Sequence, residues 1–135
     1  MSFLLGLALL SSVGGTVADP AIGLWSNPKG SLTVRTRRCG EQLCATVVNA
    51  SAGAKAKAAA AGLPTLVGAE LFSDYRPAGA GDWAGTLYVP DRGKRVASRL
   101  KADDGRTMKV SGCLLGGLVC KTQTWVRMDG ALARR

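Results

Sequence analysis

Residues 94–112 read KRVASRLKADDGRTMKVSG, and the period of two in this stretch decides the fold. Val96, Ser98 and Leu100 fall on one side, with Arg95, Arg99 and Lys101 on the other. Met108 and Val110 likewise oppose Lys109 and Ser111. Successive side chains of a strand point to opposite faces, so such a run has one buried and one wet face. Between the two runs lies Asp103-Asp104-Gly105, residue types that tolerate the backbone of a tight turn. The stretch reads as a β-hairpin with a basic outer face.

The same pattern extends in both directions. Ser31–Arg38 (SLTVRTRR) places Leu32, Val34 and Thr36 opposite Thr33, Arg35 and Arg37, and Leu43–Asn49 is its hairpin partner. Leu66–Tyr75 is a further strand, followed by a flexible turn through residues 76–82. Trp83–Val89 turns through Pro90-Asp91-Arg92-Gly93, and Val119–Met128 closes the series after a turn at Leu115-Gly116-Gly117. Residues 50–65 (ASAGAKAKAAAAGLPT) carry no apolar stripe. They read as a flexible loop or a short exposed helix ending at Gly62, with composition favouring the loop. Seven or eight short strands must hide their edges, and closing an antiparallel meander into a barrel does so. No helix is long enough for βαβ crossovers, so the expected class is all-β. Whether such a barrel is tightly filled or keeps a narrow central cavity stays open at this level.

With 135 residues there is room for one domain, taken as residues 19–135. Residues 1–18 have the parts of a secretory signal peptide: the apolar run Phe3–Leu10, a small polar stretch, and Thr16-Val17-Ala18 before Asp19. No Lys or Arg precedes the apolar run, which departs from the usual pattern. The expectation is cleavage near Ala18 and a periplasmic or secreted product. The alternative is a buried N-terminal segment. Cys39, Cys44, Cys113 and Cys120 all follow that point, and an even cysteine count in an exported chain reads as disulfides. Three pairings are possible. The local one, Cys39–Cys44 with Cys113–Cys120, is favoured because each pair brackets a turn. A zinc site is disfavoured by the C-x4-C and C-x6-C spacings and by the absence of histidine.

The net charge is +9, from 18 Lys and Arg against 9 Asp and Glu. Such a field attracts anions. In an exported protein that points to anionic glycolipid or polysaccharide rather than nucleic acid, beside the bland reading of a solvated surface. Trp25 sits on the first strand and Arg127 on the last. If the barrel closes, the indole could lie across the guanidinium and plug one end.

In order along the chain come Asp19-Pro20-x-x-Gly23-x-Trp25, Cys39-Gly40-x-x-Leu43-Cys44 and Trp83-x-Gly85-x-x-Tyr88-x-Pro90-x-x-Gly93-Lys94. Leu100, Val110-x-Gly112 and Thr122-x-Thr124-Trp125-x-Arg127 follow. In this combination the chain resembles the exported bacterial family known as domain of unknown function 2147. The resemblance implies a lipocalin-like, calycin-type barrel and a small apolar ligand, with no established activity. The Ala/Lys tract at 54–61 departs from the family pattern, and the Cys113–Cys120 pair reads as an addition bracing the last hairpin.

A catalytic reading finds little support. There is no histidine for acid–base work. Asp91, Asp103 and Asp104 fall in turns, Asp19 and Asp129 at domain ends, and Glu41 in a hairpin loop. That leaves Glu70, Asp74 and Asp82, of which Glu70 and Asp74 share a strand face but sit about 13 Å apart along it, beyond the roughly 5–9.5 Å of a glycosidase pair. The expected function is non-enzymatic binding of a small hydrophobic or amphipathic molecule. Its candidate lining is Leu32, Val34, Tyr88, Val96, Leu100, Met108 and Val110. Gly23, Trp25, Trp83, Trp125 and Arg127 take structural parts. The alternative is an envelope protein meeting an anionic surface through Arg35, Arg37, Arg95, Arg99, Lys101 and Lys109. No cofactor and no metal are expected, and the oligomeric state is expected to be a monomer or weak dimer.

Overall fold

The computed structural model describes residues 19–102, 104–114 and 119–128. The signal-peptide reading of residues 1–18, the turn at Leu115-Gly116-Gly117, and Asp103 and Asp129 lie outside the described residues. Eight strands close into one antiparallel barrel in simple sequence order. They are β1 (Gly23–Ser26), β2 (Leu32–Cys39), β3 (Gln42–Ala50), β4 (Glu70–Pro77), β5 (Asp82–Val89), β6 (Lys94–Ala102), β7 (Thr107–Leu114) and β8 (Val119–Arg127). Closure is made by β1 against β8, with Trp25 opposite Arg127 and Ser26 opposite Val126. The seam is short, joining β8 to the four-residue β1 at Val126 and Arg127.

The alternation read from the sequence sets the two faces. In β6, Val96, Ser98, Leu100 and Ala102 are buried while the residues between them are exposed. Leu100 pairs with Val110 and Ala102 with Met108, so the inner rows of β6 and β7 meet. Trp25, Val34, Leu43, Phe72, Tyr75, Leu100 and Met108 are almost wholly excluded from solvent and form the centre of the core.

Two segments correct the sequence reading. Residues 50–65, for which a flexible loop was favoured over a short exposed helix, carry a nine-residue helix, α1 (Ala52–Ala60). Its alanines have the highest intrinsic helix propensity. Ser51 caps it by accepting the Ala54 amide at 3.1 Å, and Lys57 in the last turn suits the negative end of the helix dipole. The helix has no apolar stripe because only one residue, Ala58, is buried. The fourth strand starts at Glu70, not Leu66. Leu66 is buried ahead of it, and the chain between turns through Gly68 at φ 98°. In β4 the register slips between Ser73 and Arg76, where Asp74 takes φ 59°. Glu70 and Asp74 are both exposed, and the bulge brings Phe72 and Tyr75 to the same interior side.

Both disulfides are local, Cys39–Cys44 across the β2–β3 turn and Cys113–Cys120 across the β7–β8 hairpin. Cys113 and Cys120 stand directly opposite each other in the ladder, with Cα atoms 4.0 Å apart. Each closes a short loop and contributes roughly 2 kcal/mol by restricting the unfolded chain.

Candidate functional site: one closed and one open barrel end

The start of β1 and the end of β8 lie at the same barrel end, and that end is closed. The Arg127 guanidinium stacks 4.6 Å from the Trp25 ring centre. Its Nε donates to the Gly105 carbonyl, and Nη2 donates to the Pro20 carbonyl at 2.6 Å. The Trp25 indole N–H donates to the Ala21 carbonyl at 2.9 Å, and the Gly23 amide donates to the Thr36 hydroxyl at 2.8 Å. Above this plug the barrel is filled by side chains. Tyr75 lies across Gly85, where an added Cβ would stand 2.6 Å from the Tyr75 Cα. The Tyr75 phenol finds no partner of good geometry. Ser98 faces it but donates to the Ser111 carbonyl instead. Burial therefore holds the phenol far above the ordinary tyrosine range, only partly countered by Ser98.

The opposite end is open. A cavity of about 520 Å³ occupies the barrel mouth between the β1–β2 turn, α1, the β5–β6 turn and the β7–β8 hairpin. Trp125 belongs to its wall, packed against Phe72 with ring centres 5.6 Å apart. Leu32, Leu66, Leu71, Leu87, Val96 and Val110 belong to the apolar wall. Polar groups come from Asn27, Ser31, Ser51 and Gln123, and the Gln123 side-chain oxygen accepts the Trp125 indole N–H at 3.1 Å. The charged wall residues are Lys29, Lys57, Arg92, Lys94 and Lys121, with Asp91 as the carboxylate. Helix α1 is held at the rim by close packing, since a Cβ on Gly93 would meet the Ala61 carbonyl oxygen at 2.5 Å.

The family model described as "Uncharacterized protein conserved in bacteria (DUF2147)" matches residues 23–127. The chain belongs to this family. Among solved structures, protein HP1028 from the human pathogen Helicobacter pylori, described as belonging to the lipocalin family, is similar with a TM-score of 0.65. The two share 19% identity over 88% of this chain and 89% of that one. At that identity the likeness concerns the fold, a lipocalin-like closed barrel. Among curated proteins none matches the sequence.

The residues that carried the DUF2147 resemblance fall mostly into the closed half. Trp25 and Arg127 make the plug, Gly85 gives Tyr75 its space, and Trp83 is buried with the Arg38 guanidinium 5.4 Å from its ring centre. Of the seven candidate lining residues, Leu32, Tyr88, Val96 and Val110 stand on the cavity wall. Tyr88 does so at the rim, half-buried, with the Arg95 guanidinium 5.3 Å from its ring centre. Val34, Leu100 and Met108 belong instead to the filled core. Alternation puts six of the seven inside the barrel but does not say how far each lies from the open end, while Tyr88 pairs with the outward Arg95 and has the opposite parity to Leu87. Lys57, Lys121 and Gln123 were missed. Lys57 was hidden in the stretch taken for a loop. Lys121 and Gln123 share the parity of Trp125 on β8, a signal present in the sequence but masked by a strand almost wholly exposed.

Proposed function

We propose that this DUF2147 protein is an exported, non-enzymatic binding protein that holds a small hydrophobic or amphipathic molecule in its open barrel end. The observation that carries the reading is the asymmetry of the ends. One is sealed by Trp25 and Arg127, while the other keeps a cavity of about 520 Å³ with a largely aliphatic wall. That volume lies within the ~300–1,000 Å³ of ordinary small-molecule sites, and barrels of eight strands can enclose one small ligand. Export is supported by the two disulfides, which persist in oxidising compartments. A binding role is supported by the absence of histidine from the sequence and by a wall whose carboxylate, Asp91, stands alone.

The test is titration with a neutral fluorescent naphthylamine. The wild-type protein should bind it. Leu32→Trp, which adds an indole at the mouth, should weaken binding about tenfold, while Thr122→Trp on the outer face of β8 should not. Equal binding by all three proteins, or none by the wild type, overturns the reading.

A second reading, contact with an anionic envelope surface, is favoured by one cross-strand pair. Lys101 stands directly opposite Lys109 on the outer face, where like charges repel. Binding of that kind should weaken steeply as salt rises, whereas uptake of a neutral probe should barely respond.

A further inference from the structure

We infer that the ligand class is a slender anionic amphiphile, its apolar chain in the barrel and its negative head held at the mouth by Lys121 and Lys57. The inference rests on the cavity reading above and adds the sign and position of the head group. Along β8 the interior row runs Trp125, Gln123, Lys121, opposite Met108, Val110 and Gly112 in turn. Polarity therefore climbs in register from a buried indole through an amide to an ammonium at the mouth. Room is kept beside the last step. Gly112 faces Lys121, and a Cβ there would press on Val96 at 3.3 Å and Leu87 at 3.4 Å. From the other side of the mouth, α1 contributes Lys57 in its last turn.

Charge is concentrated beyond the chain's general basicity. The whole sequence carries two cations per anion, 18 to 9, whereas the cavity wall carries five to one. Among the described residues the ion pairs are Arg37–Glu70 and Arg99–Asp82, so the five wall cations keep their charge available. Cations crowded around an aliphatic cavity repel one another, and a bound anion relieves that repulsion while its chain covers apolar surface. A cationic head would meet the same field with the opposite sign.

The experiment compares dodecanoate, dodecanol and dodecyltrimethylammonium, each below its micelle concentration, by displacement of the naphthylamine probe. Dodecanoate should bind about tenfold more tightly than dodecanol at low salt, with dodecyltrimethylammonium weakest, and the advantage should shrink as salt rises. The double variant Lys57→Gln/Lys121→Gln should lose that advantage and keep the dodecanol affinity. Arg35→Gln/Lys109→Gln, which removes the same charge from the outer face, should keep both. If dodecanol or the ammonium matches dodecanoate, or the two double variants behave alike, the head-group assignment is overturned and the cavity reading stands. If none of the three displaces the probe and the probe itself does not bind, the cavity reading falls with it.

Discussion

The Arg127 guanidinium lies over the Trp25 indole at 4.6 Å, joining the last strand to the first across the barrel seam. The same group reaches two carbonyls, those of Pro20 and Gly105, so one side chain ties together the chain entry, the β6–β7 turn and the terminal strand. Only a planar guanidinium can stack and donate in this way. Arg127→Ala should cost about 2–3 kcal/mol, from a partly desolvated cation–π contact and two charge-assisted hydrogen bonds. That lowers the melting temperature by roughly 10 °C or more in a domain of this size. Arg127→Lys should fall between the two, since a lysine keeps the charge without the fork. Thermal unfolding followed by circular dichroism checks this. A variant melting within a degree or two of wild type would show that the plug is held by the strands alone.

The turn that Arg127 braces has a titrating latch of its own. Asp104 accepts the backbone amides of Arg106 at 3.0 Å and Thr107 at 3.2 Å, and these bonds hold its carboxyl below the ordinary range. A depressed acid pKa contributes stability above the unfolded value, near 3.9, and loses it as pH falls through the lower folded value. The turn should thus be indifferent to pH from neutrality down to about 4 and loosen below that. Because Asp104 is fully exposed, the loss should stay local. Carboxyl titration by NMR should give a midpoint below that of an unstructured aspartate, with the Arg106 and Thr107 amide signals moving in step. A midpoint at or above the ordinary value would remove the latch.

How much of this was legible in the residues depends on which physical signal each part leaves. The strands were, because a two-residue period in 94–112 follows directly from one face being buried. Barrel closure and the Trp25–Arg127 contact followed from edge avoidance plus chemistry at the two ends. Helix α1 was legible only as the less favoured of two readings, because a helix that buries one alanine writes no stripe. The β4 bulge was not legible, since it depends on Asp74 taking a left-handed backbone that aspartate tolerates but does not announce. The site suffered most. Alternation separates inside from outside, yet depth along the barrel axis decides whether an inward residue such as Met108 fills the core or one such as Val110 meets the cavity.

The Asp74 bulge also gives Gly85 its meaning. By bringing Tyr75 to the interior, it lays that residue against the β5 backbone. A methyl on Gly85 would sit 2.6 Å from both the Cα and the Cγ of Tyr75. One of those atoms is backbone, so a ring rotation cannot clear the way. The ring is itself wholly buried and stacked 5.4 Å from Phe72. Gly85→Ala should therefore force β4 and β5 apart and cost about 2–3 kcal/mol, as overpacked cores do. Gly53→Ala is the contrasting substitution. It lies within α1 with only the Ser51 hydroxyl near, at 4.0 Å, and should stabilise the helix by up to about 1 kcal/mol. Urea unfolding of the two variants should move the midpoint in opposite directions. If Gly85→Ala unfolds at the wild-type midpoint, the close approach of Tyr75 to β5 is not a constraint that the sequence must obey.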